Sequence, residues 1–381
     1  CADSFTPSSR KGGADNMENN IENTMENDKN GKRKPVKRNV KRKKVLRKKR
    51  TKGMRCLISG GKLVGGIATV LLVLFGLDYL LYPCTFMRND IHTVTTEAHQ
   101  DIFLGTSHGK INIDPDVVSE ETGRSAHNLC VGGEYAVDAY YLTKLMIETE
   151  KPERIIYEVD PGYFVTEKEV GNNYLLFYHE FPLSRAKLEY FQATMMECDF
   201  RTAIFPWYEY IFKYDLEKVW ETVYQKWMHN YDVSFLKGST QEYHESGFIE
   251  RYPVDTTQLS MENEALKLFT RDSVKQQNME YLERLIDLCR ENDIEFVAIS
   301  TPVPASTLVA YEANYQDAWN YFAEFFEKED VRYLNFNREY FADFSHEITN
   351  FTDYDGHMNG DAAREYSRVL GEVLDAIPSM E

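Results

Sequence analysis

The chain has 381 residues, with 44 Lys and Arg against 61 Asp and Glu, and a formal net charge of −17 at pH 7. Its six cysteines are scattered, without a Cys-x-x-Cys pair or a His/Cys cluster at ligand spacing. The composition therefore predicts neither a disulfide framework nor a metal site, and Cys130 and Cys289, in apolar runs, are expected to be buried.

The charge is divided sharply along the chain. Residues 1–55 carry 18 basic and 6 acidic residues, a net charge of +12, whereas the remainder carries 26 basic and 55 acidic residues, a net charge of −29. The first segment has almost no large apolar residues and cannot build a core. It is predicted to be a disordered basic tail.

A nearly uncharged stretch, Leu63–Leu81, follows this tail and predicts a transmembrane helix within residues 56–83, because about 20 apolar residues cross a bilayer. A cleavable signal peptide is the rival interpretation. The apolar run is longer than a signal peptide's usual 7–15 residues and is followed by Tyr82, Pro83 and Cys84, which favours an uncleaved anchor.

The basic run Lys32–Arg50 lies directly before the span, and an excess of Lys and Arg marks the cytoplasmic side. The sequence thus predicts a single-pass protein of the cell membrane, with a cytoplasmic N-terminus and an extracytoplasmic domain over residues 84–381. The basic run is expected to contact anionic lipid. A nucleic-acid patch is the less simple interpretation, and no nucleic-acid partner is predicted.

Beyond the span, short apolar runs alternate with helical patterns, which predicts an α/β fold with a doubly wound, parallel five-stranded sheet in a flavodoxin-like three-layer arrangement. The predicted strands are Asp101–Thr106, His127–Val131, Arg154–Val159, Ile294–Ser300 and Val331–Phe336. The predicted helices are Tyr135–Thr149, Ser273–Glu291, Glu312–Lys328 and a last one carrying Tyr366, Leu370, Leu374 and Ile377.

Two further features of this pattern matter for function. Residues 164–272 interrupt the alternation, are rich in aromatic residues, and predict a helical insertion that either shapes a substrate groove or is only a packing appendage. The helix 312–328 carries an aromatic stripe, Tyr311, Tyr315, Trp319, Phe322 and Phe326, whose helical spacing is typical of core rather than of a sugar-binding platform.

Two short motifs carry chemistry. Ser107 follows the first predicted strand between glycines, where a sharp turn exposes a nucleophile and leaves backbone N–H groups free for an oxyanion. His357 lies just before the last helix, with Asp355 and Asp353 two and four residues earlier, so it can act as a general base oriented by a carboxylate. A doubly wound sheet brings these two positions together, and the pair predicts a Ser/His/Asp hydrolase.

These motifs resemble the SGNH/GDSL hydrolase superfamily, and within it the membrane-anchored, DltD-like and alginate O-acetylation-like proteins of the bacterial envelope. The resemblance runs from Asp101 to the C-terminus, apart from the insertion. The first family block corresponds to Gly105-Thr106-Ser107 and implies that Ser107 is the nucleophile. The second implies that Gly132 or Gly133 contributes to the oxyanion hole.

The sequence departs from the family pattern at two places. In the family's DxxH block the position three before His357 is Tyr354, so the acid must be Asp355 or Asp353. The family's Asn-containing third block has no clear counterpart, and Asp160 in that loop either lines the site or, as we slightly favour, caps the strand end. His108 is expected to line the pocket rather than to join Ser107 in catalysis.

The resemblance implies a membrane-anchored, extracytoplasmic serine esterase or O-acyltransferase that acts on acetyl or D-alanyl esters of an envelope polysaccharide or teichoic acid. It also implies a multi-pass O-acyltransferase as a possible partner, and no cofactor. The alternatives are a catalytically degenerate scaffold or glycan-binding partner in an envelope acylation complex, and an acidic domain that serves mainly in protein interaction.

Overall fold

A computed structural model of the chain describes residues 25–27, 33–35, 52–82, 85–213, 236–264 and 266–376, with six further positions between 220 and 228. The chain divides into two compact units, Cys1–Gly66 and Ile67–Glu381. In the first unit, Met25–Asn27 pairs antiparallel with Arg33–Pro35, inside the tail that was predicted to lack structure. The other tail residues up to 51 lie outside the described residues.

The predicted span lies in a long helix, α1, Lys52–Leu81. Within it, Leu57–Leu81 is long and apolar enough to cross a membrane, judged by length and composition. At 1.5 Å of rise per residue these 25 residues extend about 37 Å, more than the roughly 30 Å of a hydrocarbon core. The helix begins at Lys52, before the apolar stretch, although Ser59-Gly60-Gly61 is a turn signal between them.

The predicted five-stranded parallel sheet is confirmed, and its strand order is β2-β1-β3-β4-β5. The second strand is shorter than predicted, because its ladder with β1 ends where Phe103 pairs with Asn128. Beyond that point the insertion covers this edge strand, and Asn128 N donates to Ser246 O at 2.9 Å. The strands are β1 Asp101–Leu104, β2 Ala126–Asn128, β3 Arg154–Glu158, β4 Glu295–Ser300 and β5 Arg332–Asn335.

Helices cover both faces of the sheet, because successive side chains along each strand point to opposite faces and both faces are apolar. In β1, Ile102 and Leu104 belong to one buried apolar cluster while Phe103 belongs to another. Cys289 lies in the first cluster and Cys130 in the second, which confirms their predicted burial. The sheet is therefore the middle layer of a three-layer α/β/α structure.

The predicted helices all form, with ends that differ by a few residues. The helix predicted to start at Ser273 starts at Gln276, after a short 3-10 turn at Arg271–Ser273. Between strands and outside the insertion, the helices are α2 Phe86–Thr96, α3 Ser107–Asn112, α4 Pro115–Thr122, α5 Ala136–Glu148, α10 Gln276–Glu291, α11 Ala305–Ala310, α12 Glu312–Lys328 and α13 Gly360–Asp375.

The insertion is not purely helical, which corrects the sequence prediction. Its first part forms α6 Leu175–Glu180, α7 Arg185–Thr194, α8 Phe200–Ile204 and α9 Pro206–Lys213. Its second part contains an antiparallel pair, Gln241–Tyr243 with Ile249–Arg251, here called the insertion hairpin. Three-residue strands are too short to give a recognisable alternation, and only the Ser-Gly turn between them marked the hairpin in the sequence.

The strand order creates a switch point beside β1. The chain moves from β1 to the edge strand β2 and then returns to β3 on the other side of β1. Ligands of doubly wound sheets bind at such a point, beyond the carboxyl ends of the strands. Ser107 follows β1 and Asp160 follows β3, so both lie at this position.

Candidate active site

A sharp turn between β1 and α3 carries Ser107. Gly105 there has φ +142°, and a Cβ at this position would lie 2.7 Å from the Glu158 Cβ and 2.8 Å from the Glu158 backbone oxygen. Only glycine fits this combination of backbone angle and close approach. Thr106 then caps α3 by accepting a hydrogen bond from His108 N, so Ser107 is the first residue of the helix.

The structure brings Ser107, His357 and Asp353 together. Ser107 Oγ lies 2.9 Å from His357 Nε2, and His357 Nδ1 lies 2.8 Å from Asp353 Oδ2. Because a carboxylate only accepts, Nδ1 carries the hydrogen and donates to Asp353, which leaves Nε2 to accept from the serine hydroxyl. Of the two candidate acids, Asp353 contacts His357, whereas the Asp355 carboxylate lies 3.7 Å from His108 Nε2.

Asp353 is held as an anion. Its Oδ1 accepts from Gly356 N and His357 N, both at 3.0 Å, and Arg251 of the insertion hairpin donates to Oδ2 at 2.8 Å. Burial opposes ionisation, but the side-chain and backbone hydrogen bonds from His357 and the charge of Arg251 outweigh it and hold the pKa of Asp353 well below its usual range. The acid is thus ready to stabilise a protonated His357.

Asn112, at the end of the helix that starts with Ser107, fixes the loop of His357. Its Nδ2 donates to Gly356 O at 2.9 Å, and its Oδ1 accepts from Met358 N at 2.8 Å. These two bonds join the nucleophile helix to the backbone on either side of the base. Burial is the main cause that lowers the pKa of His357, so the ring is neutral near pH 7.

Two backbone N–H groups border the nucleophile. A Cβ added at Gly132 would lie 3.9 Å from Ser107 Oγ, which puts this glycine at the edge of the site. Within the described part of the chain, Ser107 N and Gly132 N have no acceptor, whereas Gly133 N donates to the Tyr163 hydroxyl at 3.2 Å. Of the two glycines predicted for the oxyanion hole, Gly132 has the free donor.

His108 lines the site, as the sequence suggested, and its ring stacks on that of His357 with centroids 4.6 Å apart. Its Nδ1 lies 3.4 Å from Asp160 Oδ2, and its Nε2 lies 3.1 Å from Asp355 O. Asp160 accepts from Gly162 N at 2.8 Å and so caps the 3-10 turn Pro161–Phe164, which follows the end of β3 at Glu158. Its side chain faces the pocket, so the slightly favoured interpretation, a residue that only caps the strand end, is wrong.

Two buried glutamates lie behind the nucleophile turn. Glu158 Oε2 accepts from Thr106 N and Thr106 Oγ1, each at 2.8 Å, and Glu134 Oε1 accepts from Gly105 N at 3.0 Å. Burial raises the pKa of Glu158 to about 7 and the pKa of Glu134 well above its usual range. The turn is therefore fixed by carboxyl groups that favour their protonated form.

A cavity of about 810 Å³, open to solvent, extends from Ser107 over the carboxyl ends of β3, β4 and β5. Tyr315 and Trp319 of α12 form part of its wall, together with Tyr163. The prediction that the aromatic stripe is core is confirmed at Trp319, Phe322 and Phe326, which are buried. Tyr315 is only partly buried, and it borders the cavity together with Trp319. The remaining lining residues include Asn314, Asn337, Thr301, Lys267, Asp160 and Asp355.

The ligand atoms of His108, Asp355 and His357 lie within 4.8 Å of one another. Hydrogen bonds account for this cluster, since Nε2 of His357 faces Ser107 Oγ and Nε2 of His108 faces Asp355 O. The two rings are stacked on each other, and these nitrogen atoms contact Ser107 and Asp355.

Three residues that orient the site had no role in the sequence prediction. Arg251 lies in the insertion, about 100 residues before Asp353, and no local signal connects the two. Asn112 ends a six-residue helix, and Glu158 ends a strand. A buried Asn and a buried Glu so close to the two motifs are the signals that could have marked the latter pair.

No family model and no curated protein match this sequence. Among solved structures, the chain is similar to one from Desulfitobacterium hafniense DCB-2 that is described as a lipolytic protein of the G-D-S-L family. The TM-score is 0.33 and the identity 10%, over 72% of this chain and 98% of the other. A similarity this distant says nothing about substrate or mechanism, which must come from the site itself.

Proposed function

We propose that this chain is a serine esterase or O-acyltransferase of the SGNH type. The observation that carries the proposal is the hydrogen-bonded series from Ser107 Oγ through His357 to Asp353, with distances of 2.9 and 2.8 Å. A serine hydroxyl in this arrangement, at the mouth of a cavity, is suited to acyl transfer. A structural serine would need neither the oriented base nor the two free N–H donors.

The reaction follows from these contacts. Ser107 Oγ attacks the carbonyl carbon of an ester as His357 Nε2 takes its proton, and the N–H groups of Ser107 and Gly132 stabilise the oxyanion. The tetrahedral intermediate expels the alcohol, which leaves with the proton from His357. A water molecule or a second hydroxyl then loses a proton to His357 and attacks the acyl-serine. The bond from the acyl carbon to Ser107 Oγ breaks, Ser107 takes the proton back from His357, and the acid or the new ester is released.

The substrate class is the next part of the proposal: acetyl or D-alanyl esters of an envelope polysaccharide or teichoic acid. Support comes from the cavity, whose lining combines the Tyr315 and Trp319 rings with polar side chains such as Lys267 and Asp355. Aromatic rings together with a few polar groups suit a sugar, which has an apolar face and a rim of hydroxyls. A multi-pass O-acyltransferase as partner is proposed from the resemblance alone.

Membrane attachment through α1 is also proposed. Two contacts at the exit end of the span support it: Trp207 N donates to Asp78 Oδ1 at 2.8 Å, and the Phe75 and Phe205 rings lie 5.6 Å apart. Nearby in the sequence, Trp220, Trp227 and other apolar side chains of the insertion are exposed. Aromatic residues concentrate at membrane interfaces, so an insertion of this kind suits the outer surface of the bilayer.

The serine mechanism is tested on the full chain in detergent micelles, with a fluorophosphonate probe and with 4-nitrophenyl acetate. We expect the probe to label Ser107, as identified by mass spectrometry, and Ser107→Ala and His357→Ala to abolish both labelling and turnover. Asp353→Asn and Asp355→Asn form a matched pair. By analogy with the serine proteases, the first should lower kcat by about 10³ to 10⁴-fold, and the second should change it only a few-fold.

Two results would overturn parts of the proposal. A wild-type chain that folds but is neither labelled nor active would be a degenerate scaffold or glycan-binding partner. Equal losses in the two Asp variants would contradict the assigned acid. For the substrate class, Trp319→Ala should raise KM for an acetylated glycan without changing turnover of 4-nitrophenyl acetate, and Trp220→Ala serves as the control because this side chain is 70% exposed, outside the cavity.

Attachment is tested separately in a bacterial host. The chain should remain with the membrane fraction after alkaline extraction, and protease added outside spheroplasts should degrade the C-terminal domain. A chain that is released by alkaline treatment, or that is protected from external protease, would contradict the proposed location.

A further inference from the structure

His108 faces hydrogen-bond acceptors with both of its ring nitrogens. Nδ1 lies 3.4 Å from the Asp160 carboxylate, and Nε2 lies 3.1 Å from the Asp355 carbonyl oxygen and 3.7 Å from its carboxylate. Carboxylate and carbonyl oxygens accept and never donate, so a neutral imidazole would turn a lone pair toward one of them. The surroundings of His108 therefore select the doubly protonated, cationic ring.

The electrostatics agree with this geometry. Burial disfavours the charged ring, but Asp160, Asp355 and Glu158 outweigh it and raise the pKa of His108 to about 10. In turn, the His108 imidazolium holds the pKa of Asp160 below its usual value, although burial acts in the opposite direction. The two form a buried ion pair directly beside the nucleophile.

The cation lies against the general base. The rings of His108 and His357 are stacked at 4.6 Å with an interplanar angle of 25°. The other groups that face His357 are Asp353 of its own loop, which favours a charged ring, and Arg251 of the insertion hairpin, which disfavours it. His357 thus accepts its catalytic proton while a permanent positive charge lies on one face.

We propose that His108 is a charged positioning residue whose ring, stacked on that of His357, disfavours protonation of His357 in the resting site. This inference rests on the proposed serine mechanism and assigns the control of its pH range. His357 therefore stays neutral, and able to accept a proton, at a lower pH than an isolated imidazole would. Once protonated, it is a stronger acid toward the departing alcohol.

His108 also joins three segments that the chain supplies separately. It belongs to the turn after β1, it pairs with Asp160 after β3, and it bonds to the backbone of Asp355 in the loop before α13. If the role of His108 were purely structural, it would act only by connecting these three segments. The test must therefore measure the charge effect on His357 and not only the loss of activity.

The first measurement is the titration of the His357 ring by NMR on the full chain in detergent, with labelled histidine and the signal assigned by its loss in His357→Gln. We expect His108→Gln to move the titration midpoint of His357 to higher pH by about one unit, because a nearby like charge has been removed. Asp160→Asn, which keeps the His108 ring but removes the anion that offsets its charge, should shift the midpoint in the opposite direction. His92→Gln, at an exposed position, should leave it unchanged.

The second measurement is the rate of fluorophosphonate labelling of Ser107 against pH. In His108→Gln the acid limb should move up by the same amount as the NMR midpoint, while labelling on the alkaline plateau stays within about threefold of wild type, because a more basic ring changes the rate only modestly. A loss by one constant factor at every pH, or an unmoved NMR midpoint in both variants, would overturn the inference.

Failure of the proposed function gives a different result. A chain that is never labelled, yet shows the shifted midpoint, would lack serine reactivity while the charge effect of His108 on His357 still held. A chain that is labelled normally, with no shift, would be a serine enzyme whose His108 is only structural.

Discussion

Replacing Gly105 by alanine measures how tightly the nucleophile turn is constrained. With φ at +142° an alanine is strained, at a cost of about 1–3 kcal/mol. Its Cβ would also lie 2.7 Å from the Glu158 Cβ and 2.8 Å from the Glu158 backbone oxygen, and such overpacking costs about 1–3 kcal/mol more. We expect Gly105→Ala to lower the free energy of unfolding by roughly 4 kcal/mol.

Gly123→Ala is the matched control. Gly123 ends α4 with φ +67°, and a Cβ there has no atom within 4 Å, so only the backbone cost of about 1–2 kcal/mol applies. The assay is urea unfolding of the full chain in detergent, followed by tryptophan fluorescence, with fluorophosphonate labelling of the folded variants. Equal destabilisation by the two substitutions, or full labelling of Gly105→Ala, would refute the close approach of the turn to Glu158.

Three further predictions concern buried or partly buried charges. Burial raises the pKa of Glu158 from 4.5 to about 7. The fold therefore loses about 3 kcal/mol of stability as pH rises through this range. Glu158→Gln should flatten this pH dependence when unfolding is measured from pH 4 to 8. Lys110→Met removes the cation 2.6 Å from the buried Asp90, which keeps only its hydrogen bonds from Tyr243 and His127. It should cost about 3–5 kcal/mol in the same assay, with partial recovery on adding Asp90→Asn. Arg251→Gln removes the cation from Asp353 and should move the acid limb of kcat/KM to higher pH; an unmoved limb would contradict this role.

Local sequence patterns were sufficient to predict the sheet and to identify the two motifs around Ser107 and His357. Each parallel strand is buried on both faces and reads as a short apolar run, and covering helices such as Glu312–Lys328 show their spacing directly. Because parallel strands all end at one edge, a Ser after the first strand and a His before the last helix meet there wherever the intervening chain goes. The approach of Ser107 to His357 therefore needed topology and no detailed packing.

Choosing between Asp353 and Asp355 as the acid required the backbone conformation of the turn just before His357. Gly356 has φ +119°, and the turn to which it belongs places the Asp353 carboxylate at the Nδ1 edge of the His357 ring, where it also accepts from the N–H groups of Gly356 and His357. Spacing alone could not distinguish positions two and four before the histidine. The Asp-Gly-His sequence did indicate a turn, but not which carboxylate it would bring to the ring.

The residues that the insertion brings to the site could not be predicted from local sequence patterns, for a different physical reason. Arg251 reaches Asp353 only because the insertion returns to the site as a hairpin with three-residue strands, and the register of so short a pair depends on tertiary contacts.

Helical spacing shows that Tyr315 and Trp319 share the inner side of α12 with Phe322. It cannot show whether that side meets packed side chains or a cavity. The two outcomes differ along one helix, since Phe322 belongs to the main core whereas Tyr315 and Trp319 face the space beside Ser107.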